Sequence, residues 1–258
     1  MSHSASHMVP SRRNALALSV SAILSAAGLL ALPEAHAATT GSGNPITETR
    51  AVTDFDAISH RGAIDVIVRQ ASRESVQVRA DDNIVPLVQT TVDASGDART
   101  LRVQFKAGES VRTKTRVVVT IDVVKLTALS SSGSGDLAIE ALKTPALKLS
   151  LAGSADAKLL QLDTQQLSVS ITGSGDVQAS GRAAKFDVSI AGSGNVRARE
   201  LEAGDVGVSI AGSGDASVTA RKTVSISIAG TGDVEYGGGA TLAHKRIAGT
   251  GSVRMREP

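Results

Sequence analysis

The sequence predicts an all-β protein, specifically a parallel β-solenoid with coils of about 20 residues. First, a short phrase recurs at a fixed period from Ser130 onward: apolar, Ser, apolar, small, then Gly-Ser/Thr-Gly-Asp. Second, apolar and polar residues alternate on both sides of each glycine pair, which indicates strands. Third, only 2% of the residues are aromatic, which fits a narrow core filled by Val, Ile, Leu and Ala better than a rounded one.

The repeat is regular enough to be counted. Clear copies of the phrase occupy residues 149–156, 169–176, 188–195, 208–215 and 226–233, and degenerate copies occupy 129–136 and 245–252. The first glycines stand 20, 20, 19, 20, 18 and 19 residues apart, at Gly133, Gly153, Gly173, Gly192, Gly212, Gly230 and Gly249. Each repeat is therefore predicted to be a strand, a glycine-rich corner, a second strand and a looser return.

The alternation within the phrase predicts which side chains face the core. In Val188-Ser189-Ile190 the two apolar residues point inward and the serine points outward. One repeat cannot bury its inward face alone, so stacked coils about 4.8 Å apart are expected. A sandwich of antiparallel hairpins is the alternative, but it gives no reason for identical residues to recur in identical columns.

Four segments are predicted along the chain. Arg12-Arg13, an apolar run and a small-x-small site ending at Ala37 predict a signal peptide over residues 1–37. A permanent membrane anchor is the alternative reading of the same run. Residues 38–44 are predicted to be a flexible leader, 45–125 irregular β-structure that acts as a cap, and 126–258 the regular coils of the same solenoid.

Composition disfavours several classes of partner. The formal net charge is +2 and aromatic residues are scarce, so nucleic-acid binding is not expected. The chain has no cysteine, and no second apolar run follows residue 37, so no membrane span is expected after signal cleavage.

No catalytic, cofactor-binding or metal-binding residue is predicted. His60 and His244 are isolated after residue 37 and are expected to be solvated. The serines have no paired base, and the Gly-x-Gly corners precede strands, whereas a phosphate site requires a helix. A polysaccharide-active enzyme is the alternative, which requires carboxylates in a groove of the irregular N-terminal coils.

The aspartates of the repeat are predicted to stack at one corner. They are Asp136, Asp156, Asp176, Asp215 and Asp233, with Asn195 and Ser252 in the same column. Asn and Ser share with Asp the ability to accept a hydrogen bond in a turn, but they carry no charge. A structural corner is therefore expected, and a calcium site is the alternative.

The last coil departs from the pattern. Lys245 replaces an apolar residue and Arg246 replaces the column serine, and Arg254 and Arg256 follow. Since the open edge of a parallel stack invites further strand pairing, these cations predict an edge that disfavours self-association.

The chain resembles the bacterial family of autotransporter adhesin head GIN domains. The resemblance rests on residues 55–58, 62–66 and 76–81 together with the serial Gly-Ser-Gly-Asp corners. It implies an exported, non-enzymatic β-solenoid, in the periplasm or at the cell surface, that acts as an adhesin-like protein or envelope scaffold. Its expected partner is an envelope or extracellular ligand, either glycan or protein, and a homo-oligomer is left open.

Overall fold

The computed structural model describes residues 38–94 and 98–257, and the predicted signal peptide lies outside these residues. They contain no α-helix and one 3-10 turn, Val85–Leu87. The strands are β1 Thr39–Thr40, β2 Pro45–Arg50, β3 Ala57–Gly62, β4 Asp65–Gln70, β5 Ser75–Asp81, β6 Val88–Asp93, β7 Thr100–Phe105, β8 Val111–Arg112, β9 Val118–Val123, β10 Ala128–Gly133, β11 Leu137–Ile139, β12 Leu142–Gly153, β13 Ala157–Gly173, β14 Val177–Gly192, β15 Val196–Gly212, β16 Ala216–Gly230, β17 Val234–Gly237, β18 Thr241–Gly249 and β19 Val253–Met255.

The predicted parallel solenoid is confirmed by the strand register. Ile190 pairs in register with Ile171 of the preceding coil and Ile210 of the next, and all three are buried. Ser189 is exposed and pairs with Ser170 and Ser209 in the same way. Identical residues thus occupy identical columns, with the apolar members inside and the serines outside.

The coil that pairs with the first regular repeat is not the segment that directly precedes that repeat in the sequence. Strands β3 and β4 pair in parallel with β10 and β11, so that Gly62 lies beside Gly133. On their other side β3 and β4 pair with β7 and β9. The coil of residues 57–70 therefore lies between the coil of residues 100–123 and the first regular repeat.

Antiparallel strands close the N-terminal end of the stack. Strand β6 pairs with β7, β5 pairs with β9, and β2 pairs with β5, each in antiparallel register. Near them β1, within the predicted leader, pairs with β8. Asp81 of β5 is buried, and its carboxylate accepts hydrogen bonds from the backbone N–H of Lys114 and from the hydroxyl of Thr115. These bonds hold the segment that precedes β9 against the end of β5.

One continuous hydrophobic core runs from Phe55 to Ala240. It is filled mainly by aliphatic side chains in columns, but Phe186 is also fully buried, between Leu167 and Val206. The core therefore accommodates an aromatic ring between aliphatic side chains of the adjacent coils. Within residues 38–94 and 98–257, no helix is long and apolar enough to cross a membrane.

The glycine corners bring the backbones of successive coils into close contact. At Gly173 the backbone φ is +131°, and an added Cβ would lie 2.3 Å from the carbonyl oxygen of Gly153. An added Cβ at Gly175 would lie 2.1 Å from the carbonyl oxygen of Ala155. Glycine recurs at these corners because side chains have no room between the stacked backbones.

Candidate binding groove

A column of outward-facing residues follows the corner in each of the last coils, and its middle member is small. In register the column reads Gln178, Arg197, Ser217, Glu235 and Arg254. The alternation of the strand directs these side chains to solvent, since their neighbours Ala216 and Val218 are buried. Ser217 is far shorter than the residues on either side of it, so a depression opens above it.

A bulge in β15 forms one wall of this depression. The pairing of β15 with β16 passes from Ala198–Val218 to Glu202–Thr219, so residues 199–201 have no partner in β16. The bulge arises because the coil from Gly212 to Gly230 is two residues shorter than the coil before it. Arg199 and Glu200 are exposed on the bulge, and Thr219 Oγ1 donates a hydrogen bond to the Arg199 carbonyl at 2.8 Å.

Together these features enclose a groove of about 570 Å³ across the last coils. A second depression of about 350 Å³ shares Arg199 and Glu200 with it. Both volumes fall in the range of small-ligand sites. The groove is lined by Gln178, Ala179, Asn195, Val196, Arg197, Arg199, Glu200, Asp215, Ala216, Ser217, Asp233, Val234, Glu235, Ser252 and Arg254.

Two arginines hold the carboxylate of Glu235. Arg199 Nη2 donates to Glu235 Oε2 at 3.0 Å, and Arg256 Nη1 donates to Glu235 Oε1 at 3.1 Å. Arg256 Nη2 also donates to Thr219 Oγ1 at 3.1 Å. Charge-assisted hydrogen bonds of this kind fix both position and orientation. These contacts connect the wall of the groove beyond Ser217 to Arg199 of the bulge and to Arg256 near the C-terminus.

The opposite wall is fixed by a second ion pair. Arg197 Nη1 donates to Asp176 Oδ2 at 2.6 Å. Burial raises the pKa of the Asp176 carboxyl, but hydrogen bonds from Arg197 and from the side chain and backbone of Asn195 outweigh it. The net result is a pKa below its usual value, so Asp176 stays ionised and keeps Arg197 in place.

The aspartate column borders the groove and joins the coils. Asp176 Oδ1 accepts the backbone N–H of Asn195 at 3.0 Å, and Asn195 Oδ1 accepts that of Asp215 at 3.0 Å. The same bond links Asp215 to Asp233 and Asp233 to Ser252. The sequence predicted a hydrogen bond within the same turn, whereas a backbone donor of the next coil is satisfied by the side chains of Asp156, Asp176, Asn195, Asp215 and Asp233.

The two histidines have different surroundings. His244 is exposed, as expected. His60 is 1% exposed, so the expectation that it is solvated was wrong. It occupies the inward column of the isoleucines, beside Ser131, and its Nδ1 lies 2.9 Å from Ser131 Oγ. Within the described part of the chain, no group of three or more His, Cys, Asp or Glu residues could hold a metal ion.

Sequence reasoning did not find the groove, although two signals were present. The step of 18 residues from Gly212 to Gly230 marks the short coil. In addition, Ser217 is the smallest of the five column residues from Gln178 to Arg254, and the other four are long and polar. The prediction of no functional residue rested on a search for catalytic and metal motifs, and a binding groove between coils has no such motif.

Comparison with known proteins identifies the family. The family model described as "Putative auto-transporter adhesin, head GIN domain" matches residues 54–240. The chain belongs to this family. The matched region contains the column from Gln178 to Glu235, so most of the groove lies within the GIN domain. No sequence among curated proteins matches the chain.

Solved structures similar to this GIN domain protein share its fold over nearly their full length. A putative adhesin from Bacteroides fragilis is 27% identical with a TM-score of 0.76, and the match covers 84% of this chain and 100% of that one. A putative adhesin from Parabacteroides merdae is 26% identical with a TM-score of 0.67, covering 85% and 99%. A putative lipid binding protein from Parabacteroides distasonis is 25% identical with a TM-score of 0.69, covering 86% and 100%.

Proposed function

We propose that this protein is an exported, non-enzymatic binding protein that holds an extended polar polymer of the cell envelope or its surroundings. The groove over Ser217 is the observation that carries the proposal. The groove crosses several stacked coils, so a long ligand can contact successive side chains of one column. The adhesin names of the family and of two structural relatives support the same class of function.

The lining of the groove favours a polar ligand over an acyl chain. Its apolar members Ala179, Val196, Ala216 and Val234 are all buried. The exposed lining consists of arginines, carboxylates and small polar groups. The surface of this groove therefore gives little support for lipid binding, which the name of one structural relative suggests.

The polysaccharide-active enzyme has less support than the binding protein. That alternative expects paired carboxylates in the N-terminal coils, whereas the groove lies on the C-terminal ones. Glycoside cleavage also requires a carboxylic acid that donates a proton. Both carboxylate oxygens of Glu235 accept hydrogen bonds from arginine, so these contacts already occupy them.

Binding of the purified protein to envelope fractions of the producing cells tests the proposal. We expect the protein to sediment with the envelope and Glu235→Ala to bind at least tenfold more weakly, because Arg199 and Arg256 lose the carboxylate that orients them. Glu140→Ala is the matched control, since Glu140 is exposed, does not line the groove and carries the same charge.

Three results would contradict parts of this proposal. A parent protein that binds neither envelope nor extracellular material contradicts the binding function. Equal loss of binding in Glu235→Ala and Glu140→Ala, or no loss in either, contradicts the groove as the site. Release of shortened glycan from the bound material would favour the enzyme.

A further inference from the structure

The depression over Ser217 has the form of a subsite for one unit of a polymer. Its floor is Ser217, with Arg197 in the preceding coil and Glu235 in the following coil. The bulged Arg199 and Glu200 stand beside it, and the corner residues Asp215 and Asp233 form its other border. Replacing the serine by a residue as long as its column neighbours would fill this space.

Three arginines beside the subsite are already paired with carboxylates. Arg197 binds Asp176, and Arg199 and Arg256 both bind Glu235. A charged ligand that binds one of these paired groups must first break its ion pair, which costs part of the energy that the new contact supplies. A neutral ligand meets no such cost.

Both donors and acceptors nevertheless remain available toward the subsite. Asp215 and Asp233 each use one carboxylate oxygen, Oδ1, to accept the N–H of the next coil. Arg254 is exposed in the lining. Hydrogen bonds from Ser252, together with the charge of Arg254, hold the pKa of the neighbouring Asp233 carboxyl below its usual value. A hydroxyl group can donate to a carboxylate and accept from a guanidinium at once. Ligands rich in hydroxyls therefore match a lining in which arginines and carboxylates alternate.

We propose that the groove binds a neutral, extended glycan that runs along the stack, with one sugar ring seated over Ser217. This assignment rests on the binding function proposed above and names its ligand class. The column from Gln178 to Arg254 crosses five strands, and neighbouring strands lie about 4.8 Å apart. Successive rings of an extended β-linked polysaccharide advance by a similar distance, so successive sugars meet successive coils.

Calorimetry with defined oligosaccharides tests the proposal. The neutral probes are cellopentaose, xylopentaose and penta-N-acetylchitopentaose, the anionic probe is pentagalacturonate and the cationic probe is chitosan pentamer. We expect at least one neutral probe to bind and the charged probes to bind at least tenfold more weakly. We also expect Ser217→Gln to weaken binding of the neutral probe at least tenfold.

The substitution is chosen so that folding is preserved. Glutamine already occupies this column at Gln178, so Ser217→Gln makes the short coil resemble an existing one. Ser227→Gln is the matched control, because Ser227 is an outward serine of the same strand β16 and does not line the groove. Circular dichroism and thermal melts of both variants verify that their folds are equal.

The outcomes separate the ligand class from the binding function. Tighter binding of the anionic or cationic probe than of every neutral one overturns the neutral assignment. Unchanged neutral binding in Ser217→Gln, or equal losses in both variants, overturns the subsite. If no oligosaccharide binds but the protein still sediments with the envelope through Glu235, the glycan assignment fails and the binding function stands. If neither occurs, both fail.

Discussion

At the scale of single residues, the two polar side chains in the apolar column compensate each other. His60 and Ser131 occupy inward positions that hold Ile or Leu in the later coils, and they lie side by side in adjacent strands. Their hydrogen bond satisfies His60 Nδ1 and Ser131 Oγ, whereas His60 Nε2 is buried without a partner among the described residues. Ser131 Oγ and His60 Nδ1 therefore avoid the cost of an unpaired buried polar group, whereas His60 Nε2 bears it.

Burial of His60 predicts a loss of stability in mild acid. Desolvation lowers the pKa of His60 to about 4, although the charge of Asp65 acts in the opposite direction. Between pH 6.5 and 4 the unfolded chain therefore takes up a proton that the folded protein does not, and stability falls as the pH falls. From pH 6.5 to 5 we expect His60 to account for a loss of about 1.5 kcal/mol in the free energy of unfolding.

Urea unfolding at several pH values checks this prediction. His60→Gln cannot titrate, so its free energy of unfolding should fall less steeply than that of the parent between pH 6.5 and 5. His244→Gln is the control, since His244 is exposed and should leave the slope unchanged. The same slope in the parent and in His60→Gln would show that His60 is not the titrating group.

The role of His60 illustrates a limit of sequence reasoning at this scale. Residues 58–65, Ile-Ser-His-Arg-Gly-Ala-Ile-Asp, match the repeat phrase at four positions, with histidine in the isoleucine column. This match does not continue the regular series, because 71 residues separate Gly62 from Gly133 whereas successive repeats are about 20 residues apart. Burial of Ile190 was predicted correctly because it lies inside the regular series.

At the scale of the element, the glycine corner acts as a joint between coils. Its glycines allow the backbones to approach, and its aspartate or asparagine accepts the backbone N–H of the next corner. Asn195 makes this bond as Asp176 does, so the oxygen atom matters for the joint and the charge does not. The corner is therefore a repeated structural unit that the sequence specifies locally, which is why its column could be predicted without a structure.

This joint predicts different effects for two substitutions of one aspartate. Asp176→Ala removes the acceptor for the backbone and side-chain N–H groups of Asn195, and we expect a loss of roughly 1–2 kcal/mol in the free energy of unfolding. Asp176→Asn keeps an oxygen in place and should cost less. Thermal or urea unfolding of the two variants measures the difference.

The calcium alternative is tested with the same proteins. A structural corner predicts that a chelator leaves the melting temperature of the parent unchanged. A fall that added calcium restores, or equal destabilisation by Asp176→Ala and Asp176→Asn, would favour the metal site.

At the scale of the whole molecule, the order of coils in space differs from their order in sequence. Residues 57–70 form one coil, and the residues that follow them form the outer coil and the antiparallel strands that cover it. Strand β10 then pairs with β3 on the other side and continues the stack. Period and alternation predicted the coils themselves, because both are local properties of the sequence. They could not predict this insertion, because pairing β3 with both β7 and β10 depends on contacts between distant segments. The division into a cap of residues 45–125 and regular coils of residues 126–258 remains a prediction, although both parts share one sheet and one core.

The two ends of the stack are built differently, and this bears on self-association. The N-terminal end is covered by antiparallel strands, whereas β18 pairs only with β16 among the described strands. Strand β18 is exposed over nearly its whole length and carries Lys245 in the column of Ile226 and Arg246 in the column of Ser227. Cations on an open edge oppose pairing with a second copy that carries the same cations.

Neutralising this edge should therefore promote association of the protein with itself. The substitutions are Lys245→Thr, Arg246→Ser and Arg254→Thr, and Arg256 is left in place because it holds Glu235 and Thr219. A control with the same change of charge replaces Lys148, Lys158 and Arg182, which are exposed and lie away from the last coil. We expect light scattering to detect larger species for the edge variant than for the parent as concentration rises, and the same species for the control as for the parent. The open edge itself supplies unpaired backbone donors and acceptors, so removal of the charges leaves hydrogen bonding between copies unopposed. An edge variant as monodisperse as the control would mean that side-chain packing, and not charge, keeps the last coil from pairing.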